Sequence, residues 1–304
     1  MAWLSREVLL AVAAVLGLIR PFQLSAQQSL LPTLVPSKLL PRALAFGSAG
    51  AQVAVMVGPA VGGLLLLLGP GAAYAGSLVL HVAASLLLLG VTYTHAPTLR
   101  ERLTWASLLA GVHFLRRRNL LLAVMSLDLL AVVFGSATAL FPVYARDVLA
   151  VGPEGLGLLR AAQALGAMTM AVALSRWPPT RNVGRILVTA VVLFGASTTL
   201  FGLSTSLPLS LVALAAVGAS DMLGVVIRQA IIQIETPDEL RGRVGAINSL
   251  NVSSSNQLGE FESGAVAAVL GPTVSVVSGG VAAVGIALGW WRIFPELRER
   301  DRIA

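Results

Sequence analysis

Thr236-Pro237-Asp238-Glu239-Leu240-Arg241-Gly242-Arg243-Val244 is a short polar turn between two apolar stretches, and Val35-Pro36-Ser37-Lys38-Leu39-Leu40-Pro41-Arg42-Ala43 is its earlier counterpart. Set Pro36 against Pro237 and the two halves align without gaps at a spacing of 201 positions. Gly17 then falls on Gly218, Gln28 on Gln229, Leu39 on Leu240, Arg42 on Arg243, Ala45 on Ala246, Ser48 on Ser249, Gly58 on Gly259 and Gly63 on Gly264. A parallel repeat of this length in so apolar a chain points to a duplicated helical membrane protein built for transport. The alignment also sets Arg20 opposite Asp221, two opposite charges at equivalent points inside apolar segments.

Composition agrees. Of 304 residues 56% are hydrophobic and only 12% charged, with a mean hydropathy of +0.85. A soluble domain carries about 25% charge. Continuous apolar runs read as spanning helices rather than barrel strands. The net charge of +7 does not imply nucleic acid, because the arginines gather in short loops between apolar runs. The absence of cysteine removes disulfides, thiol chemistry and thiolate metal sites. His81, His95 and His113 form no metal spacing, and no constellation for an enzyme is present in the sequence.

Nine apolar segments are expected, at roughly 8–30, 41–69, 72–94, 119–145, 155–175, 184–204, 208–234, 243–269 and 273–293. Basic residues alternate with them. Lys38 and Arg42, Arg100 to Arg118, Arg176 to Arg185, Arg241 and Arg243, and Arg292 to Arg302 follow the odd-numbered segments. The intervening turns are nearly free of basic residues. Positive-inside sorting places the basic loops in the cytoplasm, with Met1 outside and Ala304 inside. The expected organisation is a partial N-terminal bundle of three helices over 1–95, a cytoplasmic linker over 96–118, a six-helix C-terminal bundle over 119–294 and a cytoplasmic tail over 295–304. Leu99, Leu103, Leu108, Val112 and Leu115 allow an amphipathic surface helix in the linker; a plain tether is the other reading. No cleavable signal peptide is evident, so the first segment is read as a retained span.

Charged residues inside spans cost about 2.5–3.5 kcal/mol each at a helix centre, so they face a bundle interior or a wet cavity and find partners. Gly17, Arg20 and Gln27 share one helical face, as do Gly218, Asp221 and Arg228. Asp128 lies inside the fourth segment. Arg20, Gln27, Asp128, Asp221 and Arg228 either line a substrate and proton path or, for Arg20 and Asp221, form a static packing pair. Glu260 lies on the most polar segment, beside Asn248, Asn251, Ser253, Ser255, Gln257 and Glu262. It is either a protonatable gate, a hydrogen-bonding group between helices, or a group high enough in the span to reach external water. Arg42, Glu239, Arg241 and Arg243 stand at helix mouths, as a cytoplasmic gate of ion pairs or as a solvated loop. Arg146 and Asp147 read as a local external pair.

Leu31-Pro32-Thr33-Leu34-Val35-Pro36, Leu40-Pro41-Arg42-Ala43, Gly58-Pro59-Ala60-Val61-Gly62-Gly63 and Asn256-Gln257-Leu258-Gly259-Glu260-Phe261, with the 236–244 turn, give the chain a resemblance to the major facilitator superfamily. Within it the chain resembles the enterobactin-exporter-like branch of secretion permeases. The resemblance implies an all-α integral membrane bundle whose nine segments correspond to family helices four to twelve, without the first three. It implies a helix-packing motif at Gly58, Pro59, Gly62 and Gly63, with Ala45 and Ala54 at upstream positions where the family's antiporter pattern has glycine. The loop from Leu174 to Arg185 keeps Arg176, Arg181, Gly184 and Arg185 of a conformational latch but lacks its acidic residue. The function implied is secondary active efflux of a small molecule, by alternating access as an antiporter, with the proton gradient as energy source and no cofactor or metal. The alternative is a truncated, non-transporting or partner-dependent membrane fragment. The setting implied is the bacterial cytoplasmic membrane, with the lipid bilayer and a small-molecule substrate as partners and no nucleic acid. A full-length protein would be a monomer; a truncated one leaves room for a partner.

Overall fold

The computed structural model describes residues 68–91, 113–115, 117–177, 179, 181–237 and 240–299, with isolated positions before 68. The expected segments at 8–30 and 41–69 lie largely outside the described residues. By contact density the chain divides into two units, Met1–Val55 with Ser77–Glu101 and Met56–Gly76 with Arg102–Ala304.

The described helices are α1 (Pro70–Leu89), α2 (Asn119–Gly135), α3 (Gly152–Arg176), α4 (Val183–Leu203), α5 (Leu207–Glu235), α6 (Arg241–Leu270), α7 (Pro272–Ile293) and α8 (Pro295–Glu299). The first turns of α3, α5 and α7 each carry a proline, where the missing N–H is no loss and the fixed φ suits a helix. Gly271 separates α6 from α7 at φ +89, a left-handed value that favours glycine, and its N–H closes α6 on the Ala267 carbonyl.

Among the described residues, six helices are long and apolar enough to cross a membrane: Gly71–Leu89, Asn119–Val148, Gly152–Arg176, Val183–Leu203, Leu207–Glu235 and Pro272–Ile293. The expected segment at 243–269 is the helix α6, but it is not one of the six. Its asparagines, Gln257, Glu260 and Glu262 dilute the apolar content below that of a lipid-facing span. A second difference concerns the fourth segment, expected as one helix. The α-helix ends at Gly135, and the chain continues through a 3₁₀ turn at Thr138–Leu140 and a π turn at Tyr144–Val148. The wide turn is anchored from inside. Tyr144 donates a hydrogen bond to the Gly202 carbonyl at 3.0 Å and stacks on Phe201 at 4.6 Å.

In the second unit, α3 packs on α5, α5 on α4, α4 on α7, α7 on α2 and α2 on α6. Lipid supplies no hydrophobic drive between spans, so small residues that let backbones touch carry much of this packing. A Cβ on Gly218 would collide with the Gln163 carbonyl, and one on Gly166 with the Ala215 carbonyl, which fixes α3 against α5. Gly195 and Gly280 face each other across α4 and α7 in the same way, each with the other's carbonyl oxygen 2.6 Å from its ideal Cβ. The core at one end joins Leu115, Leu121, Val124, Leu187, Ile231, Val244, Ala287 and Leu297. Leu115 belongs to the stretch read as linker and Leu297 to the stretch read as tail. Both are buried, so in this unit the packed core extends past 119–294 at each side.

Candidate functional site

α5 places Ser220, Asp221, Gly224 and Arg228 on one side, since residues three, four and seven apart share a helical face. α2 runs alongside and carries Asp128 near its middle. Arg228 Nη1 and Asp128 Oδ2 form a close ion pair, with side-chain exposures of 4% and 19%. The buried guanidinium thus meets a carboxylate, as the cost of a bare charge in an apolar bundle interior demands. Arg228 Nε is buried and has no hydrogen-bond partner among the described residues.

The pair borders a cavity of about 30 Å³, walled by Leu127, Ala131, Leu187, Val191 and Phe194 and reached by Asp221 and Gly224. Such a space holds roughly two waters. A second cavity of about 70 Å³ is lined by Ser136, Thr138, Gln163, Thr198 and Asn256 together with Phe141, Phe194 and Phe201. Val132, Phe194 and Asp221 line both. Asp221 therefore stands between an ion-paired pocket and a polar one, and is accessible where it borders them. The arrangement can hold water, fix one carboxylate against a guanidinium and present a second carboxylate to a wet space.

The structure brings Asp128, Asp221 and Arg228 together at one cavity. Glu260 is exposed on α6 and lines neither cavity; Glu262 is half-buried on the same helix. Gly58 and Gly62 are helical. Arg241 and Arg243 begin α6, with Arg243 half-buried. Arg20, Gln27, Arg42, Pro59, Gly63 and Glu239 lie outside the described residues. Arg146 and Asp147 pair at 2.6 Å on the exposed π turn. Sequence reading did not anticipate the partnership of Arg228 with Asp128, nor the part of Gln163, Ser136, Thr138 and Thr198 in the second cavity. For Gln163, an amide inside an apolar span, the signal was there to be read; for the hydroxyls, which hydrogen-bond their own helices in most positions, it was not. Among the described residues no group of three or more His, Cys, Asp or Glu side chains could hold a metal ion.

Residues 1–260 match the family model described as Major Facilitator Superfamily. The chain is also 25% identical over 273 residues to the enterobactin exporter EntS of Escherichia coli O1:K1 / APEC. The same identity and length of match hold for EntS of E. coli O139:H28 (strain E24377A / ETEC) and of Shigella boydii serotype 18 (strain CDC 3083-94 / BS512). Each alignment covers 88% of this chain and 64% of the relative, so the chain spans about two-thirds of the length of these curated relatives.

Proposed function

The chain belongs to the major facilitator superfamily, and from that premise we propose that it serves proton-coupled efflux of a small molecule from a bacterial cell. The observation that carries the reading is the cluster of Asp128, Asp221 and Arg228 at a water-sized cavity inside an otherwise apolar bundle. Ionisable groups kept at such a cost mark an ion or substrate path. Two bundles rocking about a midplane site would expose the path alternately to each side. Protonation shifts that balance only through a difference in proton affinity between the two states. The energy source is the proton gradient, and no metal or organic cofactor takes part.

The efflux direction, and enterobactin as the first solute to try, come from the relatives' names. Positive-inside sorting supports the cytoplasmic membrane with the C-terminus inside. Arg42, Glu239, Arg241 and Arg243 are assigned to the cytoplasmic gate. Arg20 and Gln27 are assigned to the substrate path and Gly58, Pro59, Gly62 and Gly63 to helix packing.

The test uses everted membrane vesicles containing the protein, loaded through an imposed pH gradient, with enterobactin and a fluorescent amphiphile as separate probes. Uptake that rises with the gradient and collapses with an uncoupler supports the reading. Uptake of either probe that ignores collapse of the gradient removes proton coupling. No gradient-linked movement of either probe or of protons removes the efflux reading.

A further inference from the structure

We propose that the two acidic residues of the cluster divide their work: Asp128 is the fixed counterion of Arg228, and Asp221 alone exchanges a proton, with water in the second cavity, while Arg228 senses the change across Gly224. The proposal deepens the proton-coupled reading above and rests on it.

Charge count comes first. Among the described residues that line the two cavities, on α2 and the turn after it, α3, α4, α5 and α6, the charged groups are Asp128, Asp221 and Arg228. With all three ionised the cluster carries one excess negative charge. An unbalanced charge in such a setting is costly, so one carboxylate is the natural acceptor of a proton. Geometry selects which. Asp128 is already committed to Arg228 and is mostly shielded. Asp221 is exposed and borders the polar cavity, where Gln163, Thr138 and Asn256 can hold water in contact with it. It takes a proton from that water and returns it to the same water; the cluster is neutral in one state and singly negative in the other.

The link to Arg228 has its own observation. Side chains on a helix lean towards its N-terminus, so Arg228 leans back along α5 towards Asp221, two turns away. Gly224 lies between them and lines the same cavity, and among the described residues nothing comes within 4 Å of where its Cβ would stand. Arg228 Nε is buried and has no hydrogen-bond partner among the described residues. Water in a cavity of about 30 Å³ bridges the guanidinium to an ionised Asp221 and loses that bond when Asp221 is protonated. Gly224 is thus a window, and Asp128 a positioning residue that keeps the guanidinium from collapsing onto Asp221.

The experiment is infrared difference spectroscopy, acid minus neutral, on the purified full chain in lipid, so it does not depend on knowing the solute. The expected spectrum holds one protonated-carboxyl band accompanied by a shift of the arginine guanidinium band. Asp221→Asn removes both. Asp128→Asn leaves Arg228 with Asp221 alone and removes the carboxyl band at the same pH. Gly224→Val keeps the carboxyl band and loses the guanidinium shift; Gly224→Ala is the milder variant if the valine protein does not fold. A carboxyl band that survives Asp221→Asn overturns the assignment, as does the lack of any carboxyl band in the parent protein. A guanidinium shift undiminished in the Gly224 variant overturns the window. A failed transport assay with intact bands would count against the efflux reading and leave this one standing.

Discussion

The guanidinium of Arg228 on α5 and the carboxylate of Asp128 on α2 form an ion pair between two helices whose other contacts are nearly all apolar. Neither group would be tolerated alone. Removing one partner of a buried pair leaves the other charge uncompensated, which costs about 3–5 kcal/mol. Replacing both by apolar residues of similar volume is often neutral. Asp128→Ala is therefore expected to lower the melting temperature of the purified protein sharply, and Asp128→Ala with Arg228→Leu to restore much of it. Equal melting of parent and Asp128→Ala would mean that the pair contributes nothing to packing.

The glycines of α5 should separate cleanly. Gly218 meets the Gln163 carbonyl across α3, a backbone atom that cannot step aside, whereas a Cβ on Gly224 meets nothing within 4 Å among the described residues. Overpacking costs about 1–3 kcal/mol or more, while Gly to Ala in an open helical position gains about 0.5–1 kcal/mol. Gly218→Val is expected to melt earlier than the parent, and Gly224→Ala at the same temperature or later. A reversed order in detergent melting curves would contradict the α3–α5 contact.

Much of this was legible beforehand because it is written in local signals. Apolar runs show where α1 to α5 and α7 lie. The Gly218–Asp221–Arg228 stripe showed in the 3.6-residue period. What stayed hidden depends on rotation of one helix against another. No pattern within α2 tells that Asp128 points at Arg228. The break after Gly135 was missed although Pro142, a residue that suits a helix start and not its interior, stands just beyond it; the bond from Tyr144 to Gly202 that anchors the π turn is tertiary and left no local signal. Leu297 lay in a charged stretch that reads as a tail, yet it fills the core where Gly184 leaves room for its backbone.

That docking of α8 gives a pH prediction. Asn119 Nδ2 donates to Glu296 Oε1 at 2.9 Å. A backbone hydrogen bond first, and the Asn119 amide second, hold the Glu296 carboxyl below the usual carboxylate range. A folded-state value below the unfolded one adds stability at neutral pH that is lost as pH falls through the folded value. Asn119→Ala should thus melt slightly below the parent at neutral pH, and the gap should close in acid. A gap that persists below the carboxylate range would assign the effect to the helix start of α2 and not to Glu296.

Glu260 and Asp221 are two acidic residues that the sequence offers as candidates for proton uptake, and their surroundings predict opposite outcomes. Asp221 borders both cavities and exchanges its proton with water in the second, which a neutral amide cannot do. Glu260 is exposed on α6 and borders neither. A positioned proton carrier contributes on the order of 100-fold or more to a proton-transfer step. Asp221→Asn should lower gradient-driven uptake in everted vesicles by about that factor, while Glu260→Gln should stay within about twofold of the parent, the change a surface substitution brings. If Glu260→Gln instead abolishes uptake and Asp221→Asn does not, the proton crosses along the polar face of α6 and not through the cavities beside Phe194.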